Sequence, residues 1–131
     1  MYCLDANVII DIFRGDAMLK KKFVALQAEQ ATFTITPIVL SELYRGAFLA
    51  HNALTTLTMI EDFLRGFELL LFDKISCIYF GEIHAKLQKE GKTTQTLDLM
   101  TASIVIAHRN ILITRNEKHF EHIPDLQYEV W

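Results

Sequence analysis

The chain has 131 residues, 51% of them hydrophobic and 22% charged, with a formal net charge of −3 at pH 7. One domain of this length buries about two-thirds of the surface that its unfolded chain exposes, so it folds without staples, and neither disorder nor a fibrous repeat fits the composition. The charge balance excludes broad, charge-driven adhesion to nucleic acid, which needs clustered Lys and Arg, but leaves room for a local site.

In chain order, residues 2 to 4 read as a very short strand ending at Asp5. A helix follows from Val8 to about Arg14, with Asn7 as its cap and Gly15 as its stop, and a second runs from about Ala17 to Gln30. Its Lys20-Lys21-Lys22 run reads as a solvated face. Thr32-Phe33-Thr34-Ile35 alternates in β-branched and aromatic residues and predicts a strand. Thr36-Pro37 then opens a helix to about His51, with proline at the first helical position. An amphipathic helix from about Leu54 to Arg65 stops at Gly66, and residues 68 to 72 predict an apolar strand. A helix from about Lys74 to Glu90 and a polar linker at 91 to 95 lead into "TLDLMTASIVIAHRN", apolar on nearly every side and therefore a core helix. "ILIT" at 111 to 114 predicts a buried strand, "NEKHF" a turn into a short helix, and residues 126 to 130 a last edge strand. Short apolar strands separated by helices imply a mostly parallel sheet covered on both faces, in which ligands collect beyond the carboxyl ends of the strands.

No apolar stretch reaches the roughly 20 residues of a membrane span. The first residues lack the basic region and cleavage pattern of a signal peptide. Cys3 and Cys77 stand in apolar settings without metal-ligand spacing, which predicts two buried free thiols and a reducing, cytoplasmic location.

Three carboxylates occupy surroundings that ought to be apolar. Asp5 follows the first strand on the crevice side; it reads as a turn or cap residue or as a functional group, and Asn7 is the better placed cap. Glu42 sits in "PIVLSELYRGAF" on a narrow polar strip with Ser41, Arg45 and Gly46, where an ion pair to Arg45 is the structural alternative. Asp98 stands in the first turn of the most apolar helix, where it complements the helix dipole. Burying it beside Leu97, Leu99, Met100 and Ile104 would cost several kcal/mol unless a cation or strong donors compensate, and no basic residue lies within four positions, so a metal or a base from elsewhere in the fold is the more economical explanation. Thr114, Arg115 and Asn116 form a fourth cluster at a strand end, with Asn116 a cap for the helix beginning at Glu117.

The topology brings Asp5 and Asn116 to one sheet edge, and Glu42 and Asp98 can face it. Converging carboxylates call for a divalent cation, and an all-oxygen set selects Mg²⁺ or Mn²⁺ over zinc. Such an ion suits phosphodiester hydrolysis, and a pair would sit about 3.5 to 4 Å apart. His119 and His122 are three apart, but no Cys or third ligand accompanies them, which disfavours zinc.

Taken together, "LDANVIID" with Asp5, "SELYRG" with Glu42, "LDLMTASIVIAHRN" with Asp98 and "ILITRNEKHF" resemble, in order and spacing, the PIN-domain ribonucleases, in particular the VapC-type toxins of toxin and antitoxin pairs. The resemblance covers essentially the whole chain and implies one PIN domain over residues 1 to 131, built as an α/β/α sandwich around a parallel sheet. It further implies a Mg²⁺- or Mn²⁺-dependent endoribonuclease acting on RNA, a homodimer, and inhibition by a cognate VapB-like antitoxin. On the family pattern Asp5, Glu42 and Asp98 are the metal ligands, and Asn7 and Thr114 orient ligands or water beside them. Asn116 takes the place of a further Asp that many members carry, which puts a tightly held second metal in doubt. Arg14, Arg45, Arg115 and Lys118 are candidate phosphate contacts, each with an ordinary surface role as the alternative.

Two rivals remain. Asp5 as a phosphoryl-accepting nucleophile would resemble the haloacid dehalogenase-like phosphatases, but Asn7 occupies the position of their general acid. A PIN fold with a weakened acidic site, retained as a binding module for its antitoxin or an operator complex, draws its support from Asn116.

Overall fold

Every strand in the computed structural model, which describes residues 1–131, is between two and four residues long. The order is β1 (Tyr2–Leu4), α1 (Ala6–Phe13), α2 (Ala17–Ala28), β2 (Phe33–Ile35), α3 (Pro37–Leu49), α4 (Ala53–Phe63), β3 (Glu68–Leu69), α5 (Lys74–Lys89), α6 (Thr96–Ala107), β4 (Ile111–Thr114), α7 (Glu117–Phe120) and β5 (Tyr128–Val130). The strands form one sheet in the order β3-β2-β1-β4-β5, and every pairing is parallel.

Alternation along the strands divides the core. Leu4 and Ile113, paired across β1 and β4, pack on one face with Val8, Ile9, Phe23, Val39, Leu43 and Ile60 from α1 to α4. Cys3 and Leu112, the preceding pair, pack on the other with Ile83, Leu99, Ala102, Ile104 and Phe120 from α5 to α7. The result is the α/β/α sandwich expected from the sequence. Parallel crossovers are right-handed, so helices after β1 and β2 cover one face while those after β3 and β4, which travel the opposite way along the sheet, cover the other. The direction reverses between β1 and β4. That reversal is the topological switch point, and it opens a crevice at the carboxyl ends of these two strands.

Several predicted boundaries move, each for a local reason. The helix expected at Val8 begins at Ala6, and its cap is Asp5 rather than Asn7: Asp5 is extended (φ −76°, ψ 155°) and accepts from the Ala6 N–H. Asn7 already lies in the first turn. The strand expected over 68 to 72 ends at Leu69, because β2 stops at Ile35 where Thr36 and Pro37 open α3; the Leu70 N–H makes the last bond, to the Ile35 carbonyl, at 2.9 Å. Thr36 caps α3 as predicted, accepting from Val39 N at 3.2 Å. The second helix stops at Ala28, and Gln30 takes a left-handed φ of +59°. Only Cys3 is a buried thiol, pushed up to about 12 by burial. Cys77 is exposed, because α5 turns Ser76, Ile83 and Leu87 inward. No helix is long and apolar enough to cross a membrane.

Candidate active site

Asp5 leaves β1 at the switch point and is 9% exposed. Both of its oxygens are engaged: Oδ1 accepts from Ala6 N at 2.8 Å and Oδ2 from the Thr114 hydroxyl at 2.7 Å. The Thr114 oxygen in turn accepts from Asn116 N at 3.0 Å. Asn7 is no cap, but its Oδ1 accepts from Arg115 N at 3.3 Å. The loop after β4 is therefore stitched to the β1–α1 junction across the crevice by the side chains of Thr114 and Asn7.

Glu42 comes from the second turn of α3, half-buried, and Asp98 from the first turn of α6, with its side chain 23% exposed. The charges reach one another. Burial lifts the Asp5 carboxyl above its ordinary range, the Thr114 and Ala6 donors pull it back, and the charge of Asp98 lifts it further. Burial also raises Glu42, and the charges of Asp5 and Asp98 add to this while Arg45 opposes it. Asp98 is raised by burial and held down by His119. Burial thus makes all three carboxylates harder to ionise, and neighbouring negative charges raise Asp5 and Glu42 further.

This donor set fits a hard divalent cation, since its three carboxylates are oxygen donors with negative charge in excess. The side chains are not closed around a single point, however: no three His, Cys, Asp or Glu groups are gathered that tightly, and Asp98 is turned toward His119, whose Nδ1 lies 3.0 Å from its Oδ2. His119 is the base from elsewhere in the fold that Asp98 required. His122 lies 3.4 Å from Glu121 instead and takes no part.

Asn116 occupies the cap position of α7 but makes no side-chain capping bond; its Nδ2 lies 2.9 Å from His119 Nε2. Arg115 is not a free phosphate contact, because its guanidinium meets Asp11 at 2.9 Å and Asp16 at 3.0 Å. Gly15, at φ +92°, makes the turn that brings Asp16 to that position. Arg14 caps the carboxyl end of α1, the far end from Asp5, 3.8 Å from Asp11. Arg45 and Lys118 are differently placed. Arg45 lines a hollow of about 280 Å³ with Ile38, Ser41, Glu42 and Leu97, and Lys118 a wholly polar one of about 240 Å³ with Thr93, Thr94, Gln95, Asp98 and His119. The two hollows flank the start of α6. Sequence reasoning missed both His119 and the pairing of Arg115; the three-residue spacing of Asn116 and His119 on a helical turn was the available signal for the first.

A parallel α/β/α sandwich whose switch point is flanked by half-buried and buried carboxylates defines a class of acid-site domains. Residues 2–126 match the PIN domain profile, and the chain belongs to that family. Ribonuclease VapC2 of Rickettsia felis is 30% identical over the whole chain and 98% of its own length. The tRNA(fMet)-specific endonuclease VapC of Salmonella typhimurium is 31% identical, over 99% of this chain and 97% of its own. Among solved structures, VapBC2 from Rickettsia felis bound to a DNA fragment from its promoter superposes with a TM-score of 0.90 at 30% identity, covering 99% of this chain and 98% of that one.

Proposed function

We propose that this chain is a Mg²⁺- or Mn²⁺-dependent endoribonuclease, the toxin of a toxin and antitoxin pair, working in the cytoplasm as a homodimer that a VapB-like antitoxin silences. The observation that carries the reading is the electrostatic convergence of Asp5, Glu42 and Asp98 at the switch point. The ribonuclease and endonuclease names of full-length relatives support the reaction, and the VapBC complex supports the partner.

Asp5, Asp98 and Glu42 would hold the ion, and Asn116 would offer one neutral oxygen beside them. A bound Mg²⁺ or Mn²⁺ would supply Lewis-acid polarisation of a phosphate oxygen and a water of lowered pKa. The protein's own part is positional. Thr114 and the Ala6 N–H fix the Asp5 carboxylate, and Asn7 fixes the loop carrying Asn116 through the Arg115 N–H. Arg45 and Lys118, one in each hollow, are the cations free to meet phosphates on either side of the scissile bond. Such a site suits single-stranded RNA in an exposed loop, where the backbone is open to side chains.

Incubation of the purified protein with total RNA tests this directly, with Mg²⁺, with Mn²⁺ and with chelator, beside Asp5→Asn and Asp98→Asn. Cleavage should require the ion and both carboxylates; cleavage surviving chelation and both substitutions would sink the reading. The binding-module alternative draws on Asn116, which brings no charge to the site. It requires Asp5→Asn to leave growth arrest in expressing cells unchanged, whereas the nuclease reading requires the arrest to vanish.

A further inference from the structure

His119 links two residues of the site, and the polarity of the link follows from the atoms that meet. Asn116 presents its Nδ2, which has only hydrogens to give, to the ring Nε2 at 2.9 Å. With the ring proton on Nδ1, the atom 3.0 Å from Asp98 Oδ2, both contacts are satisfied at once, Nε2 accepting from Asn116 and Nδ1 donating to Asp98. The chain of donors runs from Asn116 through the ring to Asp98. Each partner keeps one oxygen that the ring does not use. The Asn116 oxygen is also spared capping duty, since α7 has no side-chain cap.

We infer that His119 is a positioning residue that holds Asp98 and Asn116 as one unit at the crevice, fixing which oxygen each turns to the divalent ion. The inference rests on the nuclease reading of the site. It gives a physical role to the neutral residue at 116: an aspartate there would have no amide hydrogen for Nε2 and would bring a second charge beside Asp98, whereas asparagine completes the link. The ring has little other work. His119 is 41% exposed in its side chain and stands on a helix of four residues, so its removal leaves the core intact. Partners that orient a metal ligand in this way typically change metal affinity about 10- to 100-fold when removed.

The test is Mn²⁺ binding to the full-length protein, read from the loss of the free-ion EPR signal, for wild type, His119→Ala, His119→Asn and Asp98→Asn. Asparagine places its amide nitrogen near the ring Nδ1 position and so keeps the donor to Asp98. His119→Ala should weaken Mn²⁺ binding about 10- to 100-fold, His119→Asn should recover most of the loss, and both variants should unfold cooperatively in chelator, alanine at the lower midpoint because it leaves Asp98 without its partner. An alanine variant that binds Mn²⁺ like wild type, or an asparagine variant no better than alanine, overturns the inference while leaving the nuclease reading standing. Wild type that binds no Mn²⁺ overturns both.

Discussion

Thr114 at the end of β4 donates its hydroxyl to Asp5 at the end of β1, 2.7 Å across the point where the sheet reverses direction. The same oxygen accepts the Asn116 N–H, so one buried hydroxyl joins two strands and the loop after the second. Replacing Thr114 with Val keeps the shape and the branched side chain but removes both bonds. The lost partner of a buried carboxylate should cost about 1–3 kcal/mol of stability, measured by urea unfolding. RNA cleavage should fall about 10- to 100-fold, as for other residues that orient a metal ligand. Full activity in Thr114→Val would mean that Asp5 needs no such partner.

The raised carboxylates predict opposite responses to acid with and without the ion. Asp5, Glu42 and Asp98 take up protons more readily in the folded protein than in the unfolded chain. Above their raised values their charges therefore cost stability in full, and as pH falls toward the ordinary values of 3.8 and 4.5 that cost is relieved. In chelator the thermal midpoint should rise on mild acidification. It should turn downward below about 3.8, where the unfolded chain takes up protons at Asp16 and Asp73 that the folded protein, with backbone donors holding both low, still refuses. In saturating Mn²⁺ the same acidification should lower the midpoint, because protons compete with the ion. Parallel slopes in the two conditions would argue against an ion at these carboxylates.

Glu42 isolates the repulsion, because no hydrogen bond complicates its removal. Glu42→Gln should raise the midpoint in chelator by a few degrees and abolish most of the stabilisation by Mn²⁺. A midpoint that falls in chelator would place Glu42 in an ion pair instead, the alternative its spacing to Arg45 first suggested.

Three of the four basic candidates now separate. Arg45→Ala and Lys118→Ala, each in a hollow beside the carboxylates, should raise KM for RNA with kcat little changed, and each should shallow the salt dependence of log affinity by about 0.7. Arg115→Ala should leave KM and the salt slope alone, since that guanidinium is committed to Asp11 and Asp16. Its effect should fall on kcat through the loop carrying Asn116. An Arg115 variant that loses RNA affinity as Lys118→Ala does would return it to the phosphate contacts.

How much of this was legible beforehand depended on the range of the interaction. Periodicity and turn chemistry are local, so the alternation of strands and helices, the Thr36-Pro37 start of α3 and the buried character of α6 could be read directly. The unusual settings of Asp5, Glu42 and Asp98 could be read too, because each sits among apolar neighbours in sequence. The cap falls at Asp5 although local rules favour Asn7; what decides is that β1 ends at Leu4 in register with Ile113, a pairing made more than a hundred residues away. The links from His119 to Asp98 and from Arg115 to Asp11 and Asp16 likewise join side chains distant in sequence; the spacing of Asn116 and His119 points to their own contact, and no local pattern names the distant partners. The end of β3 at Leu69 was hidden for the same reason, since it is set by the length of β2.

Asn116 brings an oxygen without a charge to the crevice, and replacing it tests what that neutrality does. An aspartate there would add a fourth carboxylate at the crevice, beside Asp98 and across Thr114 from Asp5, where the charge of Asp98 already raises Asp5. Asn116→Asp should therefore lower the midpoint in chelator. With Mn²⁺ the added charge should tighten binding and increase cleavage several-fold if the ion is limited by charge. It should also break the amide link to His119 Nε2, so the double variant Asn116→Asp with His119→Ala should lose less, relative to Asn116→Asp alone, than His119→Ala loses relative to wild type. That non-additivity is the signature of residues acting as one unit. If Asn116→Asp instead cuts RNA more weakly than wild type, the asparagine is the residue this particular site is built around, and the neutral oxygen it offers is worth more here than a charge.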